Sequence, residues 1–355
     1  MSRPLRARLS ARALATNFSV TRGHAGSAQV MAVVKANGYG HGAEFVARTL
    51  HNADGFGVAS IEEALTLREA GVRKPVYLLE GFFESREITV AARHGLIGVL
   101  HSESQIEMLT ASDRPPQIWL KLDTGMHRLG FEATRCAGLR TELESGARAR
   151  VTGVMSHLAR ADESDPRATQ VQINAFSQAT ESGRIRRSLA NSAGLIAYPE
   201  ARFDCVRPGI MLYGSSPFAL RDAASLGLLP VMTLESELIS VRACRKGDAV
   251  GYGGDFVCPE PMPVGVVACG YGDGYPRHAP PGTPVLVAGS RVPLIGRVSM
   301  DMITVDLRST PKARVGSRVV LWGEGLPADE IAARAGTIAY ELFCNVNPRV
   351  PRVTM

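Results

Sequence analysis

Residues 32–42 read AVVKANGYGHG. An apolar, β-branched run ends abruptly in Lys35 and opens into a glycine-rich turn. This is the pattern of a buried strand that delivers one amine at its C-terminal tip. The chain has 40 lysines and arginines, and only 5 of them are lysines. Its ordinary basic residue is therefore arginine, and a lysine here invites a chemical explanation. An amine can form a Schiff base, which a guanidinium cannot. Taken alone, a strand-tip lysine is more often a solvated charge, and nearby glycines more often only permit turn geometry. The rest of the chain decides between these readings.

Outward from this run, short apolar stretches alternate with amphipathic ones as far as residue 210 or so. Eight runs fit strands: Gln29–Val34, Gly55–Ala59, Pro75–Leu79, Leu96–Leu100, Gln117–Leu122, Val151–Ser156, Ser188–Asn191 and Phe203–Val206. The seventh is weak and is counted because the spacing requires a strand there. Helical stretches lie between them, such as residues 60–70, where Ile61, Ala64, Leu65 and Leu67 mark one face and Gly71 ends it. Eight β/α units in about 200 residues fit a (β/α)₈ barrel of the TIM type. After Leu228 the texture changes to strand-like alternation, in 232–242, 263–268, 284–288 and 318–321, broken by turns rich in Gly and Pro. One clear helix candidate follows at 328–335. The expected organisation is a barrel over 11–225 and a mainly β domain over 226–355. A strand within 1–10 is expected to join the β domain, with Leu5, Ala7 and Leu9 inward and Arg6 and Arg8 outward.

Composition narrows the class. In 355 residues with 45% hydrophobic content, no apolar run approaches the ~18 residues of a membrane span. The N-terminus is Arg-rich but lacks the apolar core and small-residue cleavage site of a secretory signal; an organelle presequence is the other reading of that segment. The six cysteines form no C-x-x-C pair and no metal or disulfide framework. Free thiols in a reducing cytoplasm are the expectation. The formal charge of +6 is scattered, and no nucleic-acid motif accompanies it. No metal, membrane or nucleic-acid partner is expected.

Active-site groups of such barrels project from the C-terminal ends of the strands. Those ends carry Lys35 and Tyr39 after strand one, and Lys121, Asp123 and Arg128 at and after strand five. His157 ends strand six, Asn191-Ser192-Ala193-Gly194 follows strand seven, and Arg207-Pro208-Gly209-Ile210 follows strand eight. Each has a plain structural reading. Ser192 could be an N-cap, His157 a satisfied core histidine, and Arg207 the partner of Asp204. Their gathering on one end of one barrel favours a site. Loops after strands seven and eight often bind phosphate. A phosphate site opposite a strand-tip lysine points to pyridoxal 5′-phosphate, PLP.

At this point the sequence resembles the alanine racemases, PLP enzymes of fold-type III. The motifs run the whole length: VVKANGYGHG at 33–42, KLDTGMHRLGF at 121–131, SHL at 156–158, NSAG at 191–194 and VRPGIMLYG at 206–214. They continue with VGYG at 250–253, CGYGDGYPR at 269–277, GRVSMDM at 296–302, YEL at 340–342 and RVPR at 349–352. KAN alone is not specific, since decarboxylases on the same barrel carry a similar run.

The resemblance implies roles. Lys35 would carry the cofactor as a Schiff base and act as one catalytic base. Tyr252 would be the second base, entering from the partner subunit of a homodimer. Tyr39, Ser192, Gly209, Ile210 and Tyr340 would hold the phosphate, Arg207 would face the pyridine nitrogen, and His157 would link Arg207 to Tyr252. Arg128 and the backbone N–H of Met300 would meet the substrate carboxylate. Tyr271 and Asp301 would shape the entrance. Lys121 matches a lysine often found carbamylated, which would give Arg128 an anionic partner. The implied reaction interconverts L- and D-alanine, in peptidoglycan precursor supply or D-alanine catabolism. A broader amino-acid racemase is the alternative. A fold-type III decarboxylase would have Glu where Arg207 stands and a catalytic cysteine in the β domain, and a non-catalytic PLP carrier would lack Tyr252.

Overall fold

Runs of β-branched and aliphatic residues bounded by glycine form the inner wall of the first unit. The computed structural model describes residues 3–146, 149–181 and 185–355. Among these, eight parallel strands follow one another: Gln29–Val33, Gly55–Val58, Val76–Leu78, Leu96–Leu100, Gln117–Asp123, Val151–Met155, Arg186–Ser188 and Cys205–Val206. Each pairs with the next in chain order, and Cys205–Val206 returns to pair with Gln29 and Val30. The remaining seam, between the seventh and eighth strands, is bridged from Asp204 N to Arg187 O (3.1 Å) and from Arg207 N to Ala190 O (2.9 Å). The result is a nearly closed barrel of the TIM type.

The seventh strand is Arg186–Ser188 and not the expected Ser188–Asn191. Its first two residues are arginines, so it carries no apolar pattern to read. Arg187 is drawn into place by the Asp204 carboxylate, which accepts its backbone N–H at 2.9 Å, and by the Phe203 ring 4.9 Å below its guanidinium.

The barrel interior is filled. Met31, Tyr77, Ile97, Val99, Trp119, Met155 and Cys205 form one buried cluster, with the Tyr77 and Trp119 rings edge to face at 5.2 Å. Trp119 lies opposite Gly153 on the adjoining strand. A Cβ at Gly153 would fall 2.2 Å from the indole, so the absent side chain is what lets the largest core residue lie flat.

The second unit comprises Met1–Leu14, Tyr213–Ser215 and Asp222–Met355, against Ala15–Leu212 with Ser216–Arg221 for the barrel. Residues 1, 2, 147, 148 and 182–184 of the expected spans lie outside the described residues. Its eight-stranded sheet runs Met262–Val267, Ile303–Asp306, Ser290–Ile295, Pro284–Val287, Arg318–Trp322, Met232–Cys244, Arg6–Leu9 and Arg352–Thr354. The long strand Met232–Cys244 serves two neighbours. Leu234–Glu237 pairs with Arg318–Trp322, and Leu238–Cys244 pairs with Met262–Val267 across a bulge at Leu238/Ser240. The bulge bends the strand so that the sheet closes on itself.

Arg6–Leu9 joins this sheet, antiparallel to Met232–Glu235. Its outward arginines have a partner. Glu235 is 2% exposed and meets Arg6 Nε at 2.8 Å, Arg8 Nε at 3.2 Å and Arg318 Nε at 2.7 Å. Two helices lie in this unit, Ala328–Arg334 and Ala339–Asn345. The first matches the candidate read at 328–335, and the second is not expected as a helix from the sequence.

Overpacking supplies a test of the core. Gly153→Ala should lower stability by about 1–3 kcal/mol, read as a drop in denaturant midpoint. An unchanged midpoint would mean that Trp119 does not occupy the barrel interior as described.

Candidate active site

The turn that follows Lys35 winds the wrong way. Ala36, Asn37, Gly38, Tyr39 and Gly40 have φ of 52, 53, 62, 50 and 74°. For residues with a Cβ, left-handed winding costs roughly 1–2 kcal/mol each, so neighbours must hold it. The Glu63 carboxylate accepts the Ala36 N–H at 2.6 Å and the Ala59 N–H at 2.8 Å. Asn37 Oδ1 accepts from Ala43 N at 2.9 Å, and the Asn37 carbonyl accepts from Gly42 N at 2.8 Å. The winding leaves Lys35 half-buried at the end of strand one and turns Tyr39 back into the fold, 8% exposed.

Tyr39 ends against the loop after strand eight. A Cβ on Gly209 would lie 2.5 Å from the Tyr39 hydroxyl. Ser192, 3% exposed at the start of helix Ser192–Ala197, accepts the Gly209 N–H on its Oγ at 2.9 Å. Asn191 caps that helix by accepting from Gly194 N at 2.9 Å. Ile210 opens the short 3₁₀ turn Ile210–Tyr213. Two hydroxyls and a bare glycine backbone thus meet at one spot on the barrel mouth. These are groups suited to a phosphate, and a side chain at 209 would fill the space they share.

Arg207 lies across the same mouth, 5% exposed. Its guanidinium donates to Ser188 Oγ at 2.6 Å, to the Ser156 carbonyl, to the Leu189 carbonyl at 3.3 Å and to His157 Nδ1 at 3.2 Å. No carboxylate stands among these partners. Arginine only donates, so His157 Nδ1 is the acceptor and the ring proton sits on Nε2. Burial, and then the nearby Arg207 charge, hold His157 well below the usual histidine range. It is therefore neutral, with an Nε2–H to give. Burial also brings the Arg207 guanidinium down to about 10.

Lys121 and Arg128 complete a cationic group. Burial, followed by the charges of Arg207 and Arg128, lowers the Lys121 amine to about 8. Arg128 is exposed on the loop after strand five. Asp123 shapes that loop by accepting the N–H groups of Gly125, Met126 and His127 at 2.9, 3.0 and 3.1 Å. Lys35, Lys121, Arg128 and Arg207 all act on His157. Such a collection of positive charge invites an anionic ligand.

The sequence-read residues of the β unit fall into two groups. Tyr271, Met300 and Asp301 lie on adjoining loops: Tyr271 N donates to Ser299 O at 3.0 Å and Gly272 N to Met300 O at 2.8 Å. Tyr252 stands apart on the turn Tyr252–Gly254, 69% exposed. Arg297 braces that turn through its ion pair with Asp255. Tyr340 is on the helix Ala339–Asn345, partly buried.

Several supporting residues were not singled out in the sequence. Glu63 and Ser188 gave no local signal, and Ser156 stands inside the quoted SHL motif without a role attached. Asp273 and Arg349 stand inside quoted motifs, CGYGDGYPR and RVPR, without a role attached. Asp273 is fully buried. It accepts from Arg3 at 2.5 and 2.7 Å, from Arg349 Nε at 2.7 Å and from Gly270 N at 2.9 Å. Arg3 continues to the Asp301 carbonyl at 2.9 Å and Arg349 to the Asp301 carboxylate at 2.7 Å. One buried carboxylate thus ties together the loops that carry Tyr271, Met300 and Asp301. Among the described residues no group of three or more His, Cys, Asp or Glu could hold a metal ion, and no helix is long and apolar enough to cross a membrane.

Burial pushes the Asp273 carboxyl up. Hydrogen bonds from Arg3, Gly270 N and Arg349 outweigh burial and hold it below the usual carboxylate range. A folded-state pKa below the unfolded one gives stability that is complete above the unfolded value, about 3.9 for Asp. That stability is lost as pH falls through the lower folded value. Asp273→Asn should therefore lower Tm at about pH 7 and narrow the Tm gap between about pH 7 and pH 3. Parallel Tm-versus-pH curves for variant and parent would refute this role.

Comparison with known proteins bears on the whole chain. Residues 9–217 match the alanine racemase N-terminal domain family, and residues 231–354 match the alanine racemase C-terminal domain family. The chain is 52% identical over 347 residues to an alanine racemase of Nitrosococcus oceani, covering 97% of each. It is 50% identical to a catabolic alanine racemase of Pseudomonas putida, covering 99% of this chain and 98% of that one. The crystal structure of a biosynthetic alanine racemase from Pseudomonas aeruginosa superposes with a TM-score of 0.96 at 46% identity, covering 99% of both chains.

Proposed function

This chain belongs to the alanine racemase family, and on that premise we propose that it interconverts L- and D-alanine with pyridoxal 5′-phosphate held at the barrel mouth. The observation that carries the reading is the buried Arg207–His157 pair beside the half-buried Lys35. Tyr39, Ser192 and Gly209 fit the phosphate, since their polar groups share a space that any side chain at 209 would fill. Ile210 completes that cradle on the barrel, and Lys35 supplies the covalent anchor. When bound, PLP supplies the electron sink that stabilises the carbanion left by loss of the Cα proton.

Racemisation needs a base on each face of the substrate. Lys35 Nζ takes or returns the proton on one face, and Tyr252 Oη does so on the other. Tyrosine has an unperturbed pKa near 10, so its phenolate needs donors or cations beside it. A neutral His157 with its proton on Nε2, backed by Arg207, is such a donor. Arg207 cannot readily give up its own proton, so it would not protonate the cofactor's ring nitrogen, and the sink the cofactor supplies would stay shallow. Tyr252 is exposed on its own unit, which suits a base offered to a second copy in a homodimer.

Arg128 and the Met300 N–H hold the substrate carboxylate, while Tyr271 and Asp301 border the entrance. At about 8, the lowered Lys121 amine is partly neutral near physiological pH and can add to carbon dioxide. The carbamate anion so formed gives Arg128 the partner that a lysine ammonium denies it. Run in either direction, the reaction serves D-alanine supply for peptidoglycan or D-alanine breakdown.

Incubation with L-alanine and PLP in deuterated water should give racemic alanine with deuterium at Cα and no carbon dioxide. Borohydride should trap the cofactor on Lys35. Carbon dioxide release, absence of exchange, or trapping on another lysine would overturn the assignment.

Tyr252→Phe should lower kcat by about 10²–10⁴-fold, with borohydride still trapping the cofactor on Lys35. Near-parental turnover would remove Tyr252 from the chemistry. Full activity in a stable monomer would sink the shared site.

A further inference from the structure

The hairpin that presents Tyr252 begins and ends in cysteine. Cys244 closes the long strand Met232–Cys244, and Cys258 follows the short strand Phe256–Val257. Between them Ala249 and Val250 pair with Val257 and Phe256. The backbone fastens Cys258 to the turn directly after Cys244. Gly247 N donates to Cys258 O at 2.8 Å, and Cys258 N donates to Asp248 O at 2.9 Å. Cys258, 1% exposed, belongs to a small core of Val250, Met262, Val264 and Ile295, against which Cys244 packs. Both sulfurs thus belong to one small apolar cluster, and the Cys244 thiol acts on that of Cys258.

Cys136, Cys205 and Cys269 are buried on separate elements, and Cys344 is exposed on the helix Ala339–Asn345. A pair of facing thiols therefore brackets the segment 245–257 that carries the proposed second base. Where thiol pools are reducing, disulfides of this kind are transient and redox-sensing.

We propose that Cys244 and Cys258 form a reversible disulfide under hydrogen peroxide, and that this closure restrains the Tyr252 hairpin and lowers turnover. Cys244, partly exposed, reacts first. Its thiolate attacks one peroxide oxygen, the O–O bond breaks, and one water leaves a sulfenic acid on Cys244. The Cys258 sulfur then attacks the Cys244 sulfur, the S–O bond breaks, and a second water leaves as its thiol proton joins the departing hydroxide. Two thiols are oxidised and one peroxide is reduced to two waters. Burial, and then the neighbouring Cys244, raise the Cys258 thiol, which suits it to the resolving step rather than the first.

Closure has a mechanical consequence. An S–S bond is about 2.05 Å, well inside a non-bonded thiol contact, so the two ends of the hairpin draw together. The part most able to yield is the turn itself, where Gly251, Gly253 and Gly254 have φ of 76, 74 and 64°. Tyr252 moves with it.

The effect on activity rests on Tyr252 being a base; the disulfide itself does not. Holoenzyme exposed to peroxide, then alkylated and digested without reductant, should yield a peptide linking Cys244 to Cys258. Dithiothreitol should remove it, and Cys244→Ser should prevent it. Oxidation should cut kcat by about tenfold, since ångström-scale misplacement is enough for that. It should also raise the Cα-deuterium isotope effect with L-alanine, and both changes should reverse on reduction. Cys244→Ser should keep its activity under the same peroxide. No 244–258 peptide, or oxidation only at Cys344, would overturn the site. A quantitative disulfide with unchanged kcat and isotope effect would overturn the restraint. If Tyr252→Phe retained activity, the base assignment would fall while the disulfide would still be judged from the peptide map.

Discussion

A guanidinium buried without a carboxylate organises the barrel mouth. Arg207 offers its N–H groups to Ser156, His157, Ser188 and Leu189, so the ends of strands six, seven and eight are read by one side chain. Burying an unpaired charge is costly, and multiple hydrogen bonds offset part of that cost. The remainder appears in its neighbours. Burial first, and then this charge, hold His157 well below the usual histidine range and lower the Lys121 amine. The protonation states that suit the proposed chemistry follow from burial at the mouth with this charge beside it. The same charge, with Lys35 and Arg128 nearby, makes the mouth a place for anions.

The β unit holds its candidate residues in two mechanically different ways. Tyr271, Met300 and Asp301 sit on loops fastened through the fully buried Asp273 to Arg3 and Arg349. Tyr252 sits on a turn of glycines whose main brace is an exposed ion pair between Arg297 and Asp255. Exposed pairs of that kind contribute little stability. Groups that bind or border a small substrate gain from rigidity. A base that reaches a substrate held by another chain, the role proposed for Tyr252, gains from latitude.

Much of this was legible in the sequence, and the illegible parts share a cause. Barrel strands such as Gln29–Val33, Leu96–Leu100 and Gln117–Asp123 announce themselves because two-sided burial demands continuous apolar runs. The seventh strand does not, because Arg186 and Arg187 are held by Asp204 and Phe203 rather than by a core. Lys35, Arg207 and Tyr252 could be named from strand-end position and motif. Their supports, Glu63 under the Lys35 turn and Asp273 under the Tyr271 loop, act across long sequence separations and look like ordinary acids until folded. The facing thiols of Cys244 and Cys258 were invisible for the same reason: fourteen positions apart, they meet only because the hairpin returns.

The left-handed turn after Lys35 also ties a local geometry to distant parts of the chain. Asn37, Gly38 and Gly40 admit that winding, Ala36 and Tyr39 resist it, and the bracing Glu63 comes from beyond the next strand. Glu63 under the Ala36 N–H and Gly209 against the Tyr39 hydroxyl are neighbours that only the folded barrel supplies. The geometry that makes this amine different from the chain's other lysines is a property of the finished barrel. The setting of Lys35 thus belongs to the barrel as a whole and not to the short run of sequence around it.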